Sequence, residues 1–120
     1  MIDHIGIAVT DTAVSKAFFT KALAPLGYVV VMEFEEVVGM GVDGKPDFWM
    51  QAGAPGQSLH VAFHCENRKS VDAFYHAAIA AGGKDNGGPG LRPHYHPNYY
   101  GAFVFDPDGN NIEAVCHAPT

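Results

Sequence analysis

His4 and His60 open two short segments, HIGIAV at 4–9 and HVAFHC at 60–65, each a run rich in Ile, Val and Phe with polar ends. Runs of that length and composition read as strands. Side chains alternate along a strand, so His4, Gly6 and Ala8 share one face while Ile5, Ile7 and Val9 share the other. By the same count His60, Ala62 and His64 oppose Val61, Phe63 and Cys65. Near the C-terminus Asn111, Glu113, Val115 and His117 oppose Ile112, Ala114 and Cys116. With the apolar sets turned toward a helical layer, His4, His60 and Glu113 project to the open side of the sheet. Two imidazoles and one carboxylate with positions left open form a facial triad for one divalent ion, of the Zn, Ni, Mn or Fe kind.

A strand histidine taken alone is more often a hydrogen-bonded, half-buried residue than a ligand. What sets His4 and His60 apart is their equivalence. Sliding the chain against itself by 56 residues lays 4–28 over 60–84 without a gap, with six of 25 positions identical: His4/His60, Ala17/Ala73, Phe18/Phe74, Ala22/Ala78, Ala24/Ala80 and Gly27/Gly83. His60 and His64 form an HxxxH, but on a strand they stand about 13 Å apart and cannot share an ion. His64 therefore lines the cavity. His94 and His96, in a Gly/Pro-rich loop at 85–99, and His76 and His117 read as solvated.

Each copy needs the same elements to place its histidine. The strands at 2–9 and 58–65 are followed by cap positions, Asp11 or Thr12 and Asn67. Helices follow. Val71, Phe74, Tyr75, Ala78 and Ile79 mark the buried face of the second, Val14, Ala17, Phe18 and Ala22 that of the first, with Gly27 and Gly83 as stops. Further strands are predicted at 28–34, 36–42 and 47–51, then at 84–87, 100–105 and 111–116, the last two joined by the turn DPDGN at 106–110. The fold class is α+β: a βαβββ module at 1–56 and another at 57–120 within a single domain, one helix per module packed on a mostly antiparallel sheet.

Composition bounds the function. The chain has 120 residues, 48% hydrophobic and 17% charged, enough for a sizeable core and far from a disordered composition. With 13 acidic against 7 scattered basic residues the net charge is −6, which excludes a nucleic-acid binder. No apolar run approaches a membrane span and MIDHIGIAV has no signal-peptide features, so no membrane partner is expected and the location reads as cytoplasmic. Cys65 and Cys116 have no metal or scaffold spacing and read as reduced core residues.

With the repeat, DHIGIAV, LHVAF and FVFDPDGNNIEAV, the sequence resembles the vicinal oxygen chelate superfamily over its whole length. Glyoxalase I, bleomycin resistance, fosfomycin resistance and extradiol dioxygenase proteins are members. The resemblance implies a glyoxalase-like, cup-shaped mixed sheet built from the two modules. It also implies metal ligands from first and last strands, matching His4, His60 and Glu113, and a homodimer whose cups are completed across subunits. Matching the end of the first module to NNIEA of the second puts Phe48 or Trp49 where glyoxalase I has a glutamate ligand, so lactoylglutathione lyase activity is expected to be weak. The remaining two His and one Glu are similar to the fosfomycin and dioxygenase branches, with Arg92 and a few lysines as the available cations.

The resulting expectation is a small lyase-type or related metalloenzyme. One divalent ion on His4, His60 and Glu113 chelates vicinal oxygens of a small-molecule substrate, for isomerisation, elimination or ring opening. Glu113 takes part in catalysis. Trp49 and Tyr100 line the pocket with His64 and Arg92, and the 85–99 loop covers it. The alternative is a metal-free drug-binding protein of the resistance type.

Overall fold

The computed structural model describes residues 1–54 and 56–120 of the chain. The first module runs β1 (Ile5–Val9), α1 (Thr12–Ala22), β2 (Val29–Phe34), β3 (Val37–Val42) and β4 (Lys45–Ala52). The second runs β5 (His60–Cys65), α2 (Arg68–Ala80), two short strands β6 (Lys84–Asp85) and β7 (Gly90–Leu91), β8 (Tyr100–Phe105) and β9 (Asn111–Cys116). Each module closes its own sheet, in the order β1-β4-β3-β2 and β5-β9-β8-β6, with β7 also on β8. In both, first and last strands pair parallel and the other pairs are antiparallel. The α+β class and the βαβββ order of the first module are as read from sequence, while the second module carries one more strand, β7, inside the 85–99 segment expected to be a loop.

Local chemistry explains the elements. Asp11 caps α1 by accepting from the backbone of Ala13 and Val14, and Asn67 caps α2 by accepting from Ser70. The buried stripe of α1 is Ser15, Phe18, Phe19 and Ala22, one step round from the expected one, and Val14 is half exposed. Phe19, not Val14, carries the contact because its ring packs edge-on against Phe48 of β4 at 4.8 Å. After α2 the left-handed residue is Gly82, at φ +100°, rather than Gly83. Gly83 is required for another reason: a Cβ there would lie 2.9 Å from both the Phe18 ring and the Ala78 carbonyl.

The helices pack on one side of the sheets and share one core with both modules. Ile7, Val9, Met40, Phe48 and Met50 meet Phe63, Val104, Ile112 and Ala114 there, and the Phe48 and Phe63 rings stand 5.3 Å apart across the module junction. Asp108 in the second module's turn accepts hydrogen bonds from the backbone and hydroxyl of Thr10 at the end of β1. On the side of β5 away from that core, His60, Ala62 and His64 are exposed.

Candidate active site

On β5, Phe63 and Cys65 are buried while His60, Ala62 and His64 face the open side, so the strand phase is as expected. Glu113 on β9 faces the same way yet is only 1% exposed. Its covering explains this. One carboxylate oxygen lies 2.7 Å from His60 Nε2, and the other accepts from the Tyr99 hydroxyl. A buried carboxylate is costly unless its oxygens are hydrogen-bonded, and here both are. Gly101 makes room for this, since a Cβ there would come within 3.2 Å of the Tyr99 ring and 3.4 Å of Glu113 Oε2. Burial first, then the Glu113 hydrogen bond and charge, push the Tyr99 hydroxyl well above its ordinary pKa, so it stays a donor at neutral pH.

Tyr99 was not among the residues singled out from sequence, and Tyr100 was. The structure puts Tyr100 on the helix side with Ala102 and Val104, its hydroxyl donating to Asp72 of α2 at 2.6 Å and its ring beside Arg68. Tyr100 therefore does not line the open face. The alternation of β8 was the available signal: adjacent tyrosines must point to opposite faces, and Tyr99 shares parity with Gly101 and Phe103. Phe103 is opposite Glu113 in the register, and its ring lies 6.3 Å from that of His60. Arg92 stacks over Phe103 at 5.4 Å while donating to the carbonyls of Gly88 and Gly90, so its cation sits at the rim of this face. His64 stacks on His117 at 6.3 Å, and His117 meets His96 at 5.7 Å and Tyr99 at 5.4 Å. These histidines are exposed, but they form one aromatic group rather than independent solvated side chains.

His4 stands just before β1, exposed, with Nδ1 2.7 Å from Asp3. Together with Trp49 it lines an open cavity of about 740 Å³ on the first sheet. It also borders a cleft of about 300 Å³ at the module junction with Ala62 and His64. Within one chain it does not join His60 and Glu113. Among the described residues no three His, Cys, Asp or Glu side chains come close enough to hold one ion. Each module closes its own sheet, with His4 just before β1 of the first and His60 at the start of β5 of the second. A larger cavity of about 820 Å³, between α1 and the β2–β3 hairpin, contains none of these residues.

The register decides what stands opposite Glu113 in the repeat. Ala62 pairs with Glu113 and Gly6 pairs with Trp49, and Gly6 and Ala62 are the repeat equivalents. Trp49, not the buried Phe48, therefore occupies the position equivalent to Glu113.

The family model for the glyoxalase/bleomycin resistance protein/dioxygenase superfamily matches residues 1–114. The chain belongs to this superfamily. A glyoxalase/bleomycin resistance protein from Albidiferax ferrireducens is 29% identical with a TM-score of 0.81, over 94% of this chain and 96% of that one. A glyoxalase/bleomycin resistance protein/dioxygenase family enzyme from Burkholderia phytofirmans, 20% identical, superposes with a TM-score of 0.75 over 98% of both chains. The lactoylglutathione lyase of Agrobacterium tumefaciens, 17% identical, shares the fold with a TM-score of 0.71 over 97% of this chain and 92% of that one. No curated protein matches the chain. The glyoxalase superfamily fold thus accounts for the paired modules and their open faces.

Proposed function

We propose that this superfamily member is a metal-dependent enzyme in which His60 and Glu113 of one copy, with His4 of a second copy, hold one divalent ion against a small substrate bearing vicinal oxygens. The observation that carries the reading is the 2.7 Å approach of His60 Nε2 to Glu113 Oε1 on an open face. His60 Nε2 and Glu113 Oε1, which face one another on that side, are the atoms that would hold such an ion. An imidazole and a carboxylate also suit such an ion chemically. When bound, the ion supplies Lewis acidity at a chelated oxygen.

The protein's own groups define the rest. Tyr99 occupies the outer oxygen of Glu113 and leaves the inner one facing His60, which favours single-oxygen binding by the carboxylate. Phe103 and Arg92 border the same face, the one apolar and the other cationic. Since the Tyr99 proton is held tightly, this hydroxyl orients and donates but does not act as a base at neutral pH. Trp49 at the position equivalent to Glu113 leaves no carboxylate as a fourth protein ligand, which argues against glutathione-linked methylglyoxal isomerisation and for a different lyase, isomerase or ring-opening reaction.

The rival reading is a metal-free binder, favoured by the open Trp49 cavity. Calorimetric titration with Zn²⁺, Mn²⁺ and Ni²⁺ separates the two. The proposal expects about one ion per chain and a sharp loss in His60→Ala, Glu113→Gln and His4→Ala. Equal titration of wild type and all three variants would sink it.

A further inference from the structure

Trp49 is flanked in the register by glycine on both sides, Gly6 on β1 and Gly39 on β3. The glycine at 39 has a specific consequence. A Cβ there would lie 2.7 to 2.9 Å from three carbons of the indole's six-membered ring, a separation that real Cβ atoms do not show. The ring is therefore laid across Gly39, against the strand, and it can lie there only because residue 39 has no side chain. Trp49 is nevertheless half-buried rather than buried, and it lines the 740 Å³ cavity, so the side of the indole away from β3 faces open space. Gly6 and Ala8 keep the neighbouring floor low, Phe34 and Val37 add apolar wall, and Gln51 supplies one amide.

The charge around this cavity is equally specific. Its lining holds Asp3 and His4 but no lysine or arginine. On this half of the cup an anion meets a carboxylate and no permanent cation, Arg92 lying on the other sheet's face, whereas an uncharged ring meets a flat π surface of matching size. Offset stacking on an indole rewards planar rings and does little for puckered ones.

We infer that the Trp49 ring, laid flat over Gly39, is a stacking platform and that the cup takes an uncharged planar aromatic ligand on the free side of the indole. This deepens the proposed function by naming the ligand class of the same cup, and it rests on that reading only for the claim that the ligand is also a substrate. Trp49 stands at the repeat equivalent of Glu113, where a carboxylate would be a fourth ligand. The position has thus exchanged a group that holds an ion for one that holds a ring.

The chain's single tryptophan makes the test direct. Naphthol, neutral and planar at pH 7, is titrated against cyclohexanol as a non-planar control and naphthalenesulfonate as an anionic one. Binding is followed by calorimetry and by the one indole N–H signal in the proton–nitrogen NMR spectrum. Naphthol is expected to bind and to shift that signal, with both controls at least several-fold weaker. Trp49→Phe should retain most of the affinity, and Trp49→Leu should lose about three- to tenfold, the range typical of a stacked aromatic pair. Gly39→Ala, by lifting the ring, should behave like Trp49→Leu, and Trp49→Leu keeps the question answerable if Gly39→Ala does not fold. Undiminished naphthol binding by Trp49→Leu, no movement of the indole signal, or a preference for naphthalenesulfonate would each overturn the inference. Metal titration of the same preparations keeps the two readings apart. Naphthol binding without ion binding would refute the metalloenzyme and leave the platform standing, and the reverse result would refute the platform alone.

Discussion

A carboxylate that is 1% exposed and fully hydrogen-bonded has little freedom to turn, and at Glu113 that constraint comes from Tyr99 as much as from His60. Tyr99→Phe leaves the ring in place and removes one hydrogen bond to a buried charge. The expected outcome is a 10- to 100-fold weaker affinity for divalent ions by calorimetry, the usual cost of losing a hydrogen bond to a ligating side chain. Unchanged affinity would remove Tyr99 from the site. A second residue-scale expectation concerns Cys65. Burial, and then Cys116 beside it in the β5–β9 register, push its thiol up to about 11, above the ordinary 9.0. Because the folded-state pKa is raised, the associated stability is present below pH 9 and is lost as pH rises toward 11. Two pKa units correspond to about 2–3 kcal/mol. Urea midpoints should therefore fall between pH 9 and 11, and Cys65→Ala, whatever its effect at pH 7, should flatten that slope.

Among the elements, the turn at 106–110 does more than join β8 to β9. Asp106 accepts from the backbone of Asp108 and Asn110 and from the Asn110 side chain. Asn110 in turn accepts from the backbone N–H of Leu59, next to His60. One turn therefore holds the ends of three strands, including the start of the strand that carries His60. Asn110→Ala leaves the partly buried Leu59 N–H and the buried Asp106 carboxylate short of partners and should cost about 1–3 kcal/mol in urea unfolding, with little change in m-value. This turn was legible in the sequence because DPDGN joins a self-capping Asp to a glycine that takes φ +82°. The short strand β7 was not, because Gly90 and Leu91 pair with β8 from inside a Gly/Pro-rich loop that has no strand periodicity. The helix caps were readable from single residues. The buried stripe of α1 was not, because Phe18 and Phe19 are both apolar and only the position of Phe48 brings Phe19 inward.

At the scale of the molecule, the repeat announced both modules and their open faces, since histidine, cap and glycine recur together at one offset. Whether the two faces form one cup or two was not readable, because strand phase says which side a residue takes and nothing about which sheet lies opposite. With His4 apart from His60 and Glu113 in the chain, completing a site across two copies makes a sharp expectation. His4→Ala and Glu113→Gln, each deficient alone, should regain ion binding when mixed and allowed to exchange, because half of the cups in a mixed dimer then carry no substitution. After random exchange roughly a quarter of the wild-type sites should return. No recovery after demonstrated exchange would mean that each chain serves only itself. Hemithioacetal conversion with added Ni²⁺, Zn²⁺ or Mn²⁺ should stay far below the value of about 10⁶ M⁻¹s⁻¹ expected of a dedicated enzyme, and Trp49→Glu should raise it.

The repeat equivalence of Trp49 and Glu113 carries one more consequence. Two identical half-cups would offer a ligand the same reception whichever way round it entered. In the proposed two-copy cup one half presents an indole and the other the His60–Glu113 pair, so a ligand reaching both would find a head and a tail, and the two ways of lying in the cup would differ in energy. Chirality at the reacting carbon then decides which bond faces Glu113. The expected result is enantioselectivity: from a racemic substrate one hand should be consumed well ahead of the other, and Trp49→Leu should narrow that gap.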